Sequence, residues 1–227
     1  ATTSKQLETA TAGKDEFICD QHSMRRLMEQ VQAVAPLDTT ILLTGETGTG
    51  KTRLAKLIHD LSRRSEQPFL SVNCAALSST LIESELFGHS KGAFTGADTD
   101  RDGKFAAVGE GTFVLDEIDA FSLSTQSKML KAIDERLYEP VGCNQTEQLR
   151  ARLIVATNRD LQQEVAEGKF REDLYYRINV LTLHLPPLRE RTGMIEPLVD
   201  RCLLTFAARN HRPANQVSRA AMRALRT

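Results

Sequence analysis

Much that would announce a function is missing from this chain. No apolar run approaches the roughly 20 residues that a membrane-spanning helix needs, so no membrane role is expected. The opening residues, Ala1-Thr2-Thr3-Ser4-Lys5, hold no apolar segment of the secretory kind. Four cysteines (Cys19, Cys74, Cys143, Cys202) are widely spaced and form no C-x-x-C pair. They read as thiols of a reducing, cytoplasmic compartment. The five histidines lack zinc-ligand spacing. A formal net charge of -1 supplies no global basic field for nucleic acid, although a local basic patch is compatible with it. Long repeats and low-complexity blocks are absent. The chain begins without Met, and a segment excised from a longer protein is expected.

What is present points elsewhere. A chain of 227 residues fits one large domain, or one domain and a small second one, with a substantial core. Its most informative stretch is Gly45-Glu46-Thr47-Gly48-Thr49-Gly50-Lys51-Thr52. It follows an apolar strand, Thr40 to Thr44, and precedes a helical run beginning near Leu54. This is the complete G-x-x-x-x-G-K-[ST] phosphate loop in its strand–loop–helix setting. Glycine lets the backbone wrap an anion, and N–H groups and the helix dipole favour its charge. Lys51 would reach the β- and γ-phosphates of a nucleotide, and Thr52 would hold Mg²⁺.

Residues 1–16 are polar and read as a flexible tail. Helical periodicity over Met24 to Val34 predicts a helix ending near Pro36. Strands are expected at Phe69–Val72, Gly111–Leu115, Leu153–Thr157 and Ile178–Leu183. Helices are expected over Ser79–Phe87, Ser124–Arg136, Ile195–Arg209 and Ser218–Arg226. Residues 88–104 read as a loop, and the segments around Gly142 as a hairpin. Continuous apolar strands alternating with helices imply a parallel α/β sheet covered on both faces. Ligands of such sheets sit at the carboxyl ends of the strands. That places Gly45–Thr52, Asp116-Glu117 and Thr157-Asn158 along one rim.

The rim has the makings of phosphoryl transfer, which needs one carboxylate on metal and one on water. Asp116 suits Mg²⁺ and Glu117 the attacking water, because strand alternation separates their directions. Asn158 is placed to hold the γ-phosphate or the water; alone, an Asn there is more often a turn former. In Phe170-Arg171-Glu172-Asp173-Leu174-Tyr175-Tyr176-Arg177, the spacing of Arg171 and Arg177 favours plain helical ion pairs. The other reading makes them arginines donated to a neighbouring subunit's nucleotide. Phe94 is a large apolar side chain within Gly92-Ala93-Phe94-Thr95-Gly96-Ala97. It is either a partner anchor on a glycine-flanked loop or a residue tucked into the protein's own core.

The chain resembles the AAA+ domain of sigma-54-dependent transcription activators over about residues 17 to 227. The resemblance rests on Glu85-Leu86-Phe87-Gly88-His89 and above all on the Gly92–Ala97 run, the GAFTGA signature. The phosphate loop, Asn73-Cys74-Ala75-Ala76-Leu77, Leu115-Asp116-Glu117-Ile118, Ala156-Thr157-Asn158, the Phe170–Arg177 run and Leu185–Arg191 support it. It implies a three-layer P-loop AAA+ subdomain over 17–190 and the start of a helical lid over 191–227. It also implies Mg²⁺-dependent ATP hydrolysis in a ring, expected to be a hexamer, that remodels sigma-54 RNA polymerase. The implied roles are Lys51 and Thr52 on phosphate and Mg²⁺, Asp116 and Glu117 as Walker B residues, and Asn158 as sensor I. Asn73 is implied to pair with Glu117 and switch with nucleotide state, Arg171 and Arg177 to act in trans, and Gly92–Ala97 to touch sigma-54. The hairpin after Tyr138 is implied to lie near that loop.

Three departures stand out. Thr52 replaces the usual Glu, and Asp119 stands where Gly is frequent. The W-P-G-N-x-R-E-L segment carrying a sensor II arginine is not reached before Thr227. Neither a receiver-like domain nor a helix-turn-helix reader is recognised, so DNA binding is expected only from a domain outside these residues. The alternatives are a AAA+ remodeller of another protein, or a nucleotide-binding module with little turnover.

Overall fold

The computed structural model describes residues 22–211 and 216–226. The tail expected over 1–16 lies outside the described residues. Residues 31–185 form one compact unit, and the described residues outside that span form a second.

The larger unit is built on a five-stranded sheet. Its strands are β1 (Ile41–Thr44), β2 (Phe69–Asn73), β5 (Thr112–Asp116), β8 (Arg152–Thr157) and β9 (Leu181–His184). Their order is β2-β5-β8-β1-β9, and every neighbouring pair is parallel. Side chains alternate between faces along a strand, yet all six residues of β8 are buried. Both faces of the sheet are therefore covered, as expected of a parallel sheet with helical crossovers. The core includes Leu42, Phe113, Leu115, Leu153 and Val155 from the strands, with Phe87, Phe105, Met129 and Leu174 from the helices.

The helices are α1 (His22–Val34), α2 (Lys51–Asp60), α3 (Ser79–Phe87), α4 (Lys104–Val108), α5 (Leu123–Asp134), α6 (Leu161–Ala166) and α7 (Glu172–Ile178), then α8 (Ile195–Asn210) and α9 (Arg219–Arg226). Two antiparallel ribbons are also present, β3 (Gly88–His89) with β4 (Arg101–Asp102), and β6 (Leu137–Tyr138) with β7 (Glu147–Gln148). The second unit holds the start of α1, two 3-10 turns, α8 and α9. There Arg191 is buried, its Nη1 3.9 Å from the sulfurs of Met24 and of Met194. Among the described residues, no helix is long and apolar enough to cross a membrane.

Two expectations are corrected. The last strand begins at Leu181, not Ile178. Ile178 is fully buried as the final residue of α7, on the same face as Leu174, and Asn179 caps that helix. The stretch 88–104 is more than a loop, because β3 and β4 pair across it and close it at its base.

Candidate active site

β1 delivers the phosphate loop, and the loop owes its path to glycine. Gly45 has φ 145, and a Cβ there would lie 2.5 Å from the Leu185 carbonyl oxygen. That oxygen belongs to the segment whose N–H bonds Thr44 O at 2.8 Å, continuing the β1–β9 pairing. Gly48 and Gly50 also have positive φ. α2 starts immediately afterwards, and a helix N-terminus is a ready site for an anion; within the loop the Thr49 N–H bonds Glu46 O at 3.3 Å. Lys51 is buried, with Nζ donating to Gly45 O at 2.8 Å and Glu46 O at 3.1 Å.

The structure brings the three expected strand ends together. Thr52 Oγ1 donates to Asp116 Oδ2 at 3.0 Å, joining α2 to the end of β5. These are hard oxygen donors suited to Mg²⁺. Asp116 Oδ1 accepts from the Glu117 N–H at 3.1 Å. Glu117 adopts φ 58, ψ 50, a left-handed conformation that costs a non-glycine residue about 1–3 kcal/mol and recurs at functional sites. Asn158, after β8, donates Nδ2 to Thr47 Oγ1 of the phosphate loop at 2.7 Å. Asn73 lies beside Asp116 in the β2–β5 register. Its Oδ1 accepts from Ala75 N at 2.9 Å and Ala76 N at 3.1 Å. It thus caps a 3-10 turn here instead of bonding Glu117. Cys74, next in sequence, is buried, and its thiol is pushed far up by burial and then by Asp116, Asp119 and Glu117. It stays protonated as a packing residue.

Arg171 and Arg177 are not drawn onto this rim. Arg171 pairs with Asp173 at 2.6 Å, at the start of α7. Arg177 pairs with Asp134 of α5. Both guanidinium groups are solvent-accessible, so the pairs contribute little to stability. Sequence reasoning missed what holds this segment. Gln126 of α5 is fully buried, with Nε2 donating to Phe121 O at 2.8 Å and Lys169 O at 3.0 Å. Its Oε1 accepts from Arg171 N at 2.8 Å. A single polar residue in a helix carries no sequence signal for that role.

The Gly92–Ala97 loop stands on the β3–β4 ribbon. The Gly92 N–H bonds Ala97 O at 2.8 Å and the Ala97 N–H bonds Phe94 O at 3.0 Å, so the motif folds into a closed turn. Phe94 is half-buried, its ring edge-on to His89 with centroids 5.0 Å apart, while Thr95 is exposed. Ser84 Oγ and His89 Nδ1 lie 2.7 Å apart and hold the imidazole in place. The segment between β6 and β7 reaches this stem. Ser90 N donates to Val141 O at 3.0 Å, and Val141 N to Gly88 O at 2.9 Å.

Residues 17–184 match the family described as Sigma-54 interaction domain. The Nif-specific regulatory protein of Azospirillum brasilense is 48% identical over 206 residues, which is 91% of this chain and 33% of that protein. The transcriptional regulatory protein ZraR of Salmonella typhimurium is 47% identical over 210 residues, 92% of this chain and 48% of that one. Among solved structures, NtrX from Brucella abortus in complex with ADP is similar with TM-score 0.86 at 28% identity, over 99% of this chain and 48% of NtrX. Its complex with ATP gives TM-score 0.85 at 28% identity, over 100% and 51%. The chain thus spans about a third to a half of the length of these relatives.

Proposed function

The chain belongs to the Sigma-54 interaction domain family and has the AAA+ P-loop fold; from that premise we propose that it is a Mg²⁺-dependent ATPase that remodels sigma-54 RNA polymerase. The observation that carries this reading is the rim itself. Thr52 on Asp116 and Asn158 on Thr47 tie three strand ends around one phosphate loop.

Loop N–H groups would cradle the phosphates of ATP, and Lys51 would exchange the Gly45 and Glu46 carbonyls for phosphate oxygens. Thr52 and Asp116 would hold Mg²⁺, which neutralises charge on the phosphates. Glu117, held in a left-handed backbone conformation at the end of β5, would orient water. Asn158 would read the γ-phosphate. Asn73, one register position from Glu117, would exchange its local caps for that carboxylate in another nucleotide state. Arg171 and Arg177, on an accessible segment, would complete the site of the next subunit in a ring, taken as a hexamer. An arginine so donated contributes about 10³–10⁵ in rate. The Gly92–Ala97 loop would engage sigma-54 by releasing Phe94 from His89. A polymerase partner would put the protein in the cytoplasm, and DNA binding would come from a domain outside these residues. In the same reading, residues 17–190 are the α/β subdomain and 191–227 open the lid.

The test is ATP hydrolysis as a function of protein concentration, with Glu117→Ala as control. Specific activity should rise cooperatively with concentration and vanish in the variant. Turnover independent of concentration would refute sites shared between subunits. Intact turnover without sigma-54 binding would assign the loop to another protein substrate.

A further inference from the structure

We propose that Asp119 is a positioning residue that sets the placement of Asn158 relative to Glu117, tying the water-orienting carboxylate to the amide that reads the γ-phosphate. The inference rests on the roles given to Glu117 and Asn158 above.

Asp119 lies in the 3-10 turn Ile118–Ala120 that starts at the left-handed Glu117. Its side chain is only 7% exposed, so leaving an oxygen unpaired there would be costly. Both oxygens are used, and both on β8's end. Oδ1 accepts from Thr157 Oγ1 at 2.6 Å. Oδ2 faces Arg159 Nε at 3.2 Å. Thr157 is fully buried, and its Oγ1 in turn accepts from Arg159 N at 3.1 Å. The residues on either side of Asn158 are therefore held by one carboxylate, and Asn158 between them reaches Thr47.

The two contacts are unequal. Arg159 is 56% exposed and shared with Glu164 at 3.1 Å, so its ion pair is screened and weak. The Thr157 bond is short, charge-assisted and sheltered, and it decides the geometry. A continuous path results, in which the chain joins Glu117 to Asp119 and Thr157 to Asn158, and hydrogen bonds join Asp119 to Thr157 and Asn158 to Thr47. It crosses from β5 to β8 to the loop after β1. Displacing Asn158 by a fraction of an ångström would weaken a contact to the γ-phosphate while leaving the α- and β-phosphates on the loop N–H groups.

The test is nucleotide selectivity. Affinities for ATPγS and ADP are measured by displacement of a fluorescent ADP, together with Tm, for the chain and for Asp119→Ala, Asp119→Asn, Thr157→Val and Asn158→Ala. Asp119→Ala should lower ATPγS affinity about tenfold, equivalent to about 1.4 kcal/mol, with ADP affinity unchanged. Asp119→Asn keeps an acceptor for Thr157 and should recover most of the loss. Thr157→Val should reproduce the alanine effect and add nothing on top of it. Equal loss of both affinities, or unchanged selectivity in Asp119→Ala and Thr157→Val while Asn158→Ala loses it, would overturn the proposal alone. If Asn158→Ala also keeps its selectivity, the reading of Asn158 fails and takes the proposal with it. Should Asp119→Ala not fold, Thr157→Val and Asp119→Asn decide.

Discussion

Replacing Gly103 by alanine would separate the Gly92–Ala97 loop from the phosphate-loop rim. Gly103 has φ -80, ψ 169, so alanine meets no backbone strain and would gain about 0.4–1 kcal/mol by restricting the unfolded chain. The obstacle is space. A Cβ at Gly103 would lie 2.4 Å from Gly88 N, 2.4 Å from Leu86 O and 2.4 Å from Phe87 C. All three are backbone atoms, and no rotamer change relieves them. Ordinary contact begins at 3.4 Å, so the end of α3 and the start of α4 must separate by about 1 Å. That opens the Gly88↔Asp102 and His89↔Arg101 pairs and disturbs Phe87 on Phe105, whose rings stand 5.5 Å apart. Overpacking of this kind costs about 1–3 kcal/mol. The net should be a loss of about 1.3 kcal/mol, or about 3–5 °C in Tm for a domain of this size. The ribbon carries the Gly92–Ala97 loop and none of the rim residues Lys51, Thr52, Asp116 and Asn158. ATP affinity should therefore be retained, while capture of sigma-54 in the presence of ATPγS should fall at least tenfold. An unchanged or raised Tm would refute the close approach. Equal loss of ATP and sigma-54 binding would refute the separation of loop from rim.

Other expectations follow from single contacts. Arg171→Ala or Arg177→Ala should abolish turnover and spare ATP binding, and equal loss of both in a binding and hydrolysis assay would contradict action in trans. Gln126→Leu leaves Phe121 O, Lys169 O and Arg171 N unpaired; it should cost about 2–3 kcal/mol in denaturant unfolding and lower turnover with ATP affinity kept. Thr95→Ala should spare hydrolysis and remove sigma-54 binding in a pull-down, and a parallel fall in ATPase would make the loop structural. His59 is buried with Nδ1 2.9 Å from Thr112 Oγ1; burial first, then Lys56, lowers its pKa below the ordinary 6.5, partly offset by Asp60. The unfolded chain then binds the extra proton first, so stability should fall as pH drops below about 6.5, by up to about 1.4 kcal/mol per pH unit until the folded pKa is reached. His59→Gln should flatten that slope in unfolding titrations.

The phosphate loop, Asp116-Glu117 and Asn158 were legible because each is a local pattern, an apolar strand ending in polar residues. Strand-end position then follows from the carboxyl-end rule for parallel sheets. The α7–β9 boundary was misjudged for a local reason as well. Ile178 continues an apolar run into Leu181, and only its packing with Leu174 inside α7 assigns it to the helix. The 88–104 stretch looked like loop because β3 and β4 are too short for alternation to register.

What the sequence by itself determined is the chemistry available: which residues can cradle phosphate, hold a cation and orient water, and which loop carries an apolar tip. The tertiary structure decided who meets whom. It inserted β8 between β5 and β1, and so brought Asn158 to Thr47 and Thr157 to Asp119. It placed Gln126 under Arg171 and laid Phe94 against His89. The physical reason is separation along the chain. A motif is written in neighbouring residues, whereas Thr157–Asp119 and Asn158–Thr47 span 38 and 111 positions. Only the order and register of the sheet close such distances.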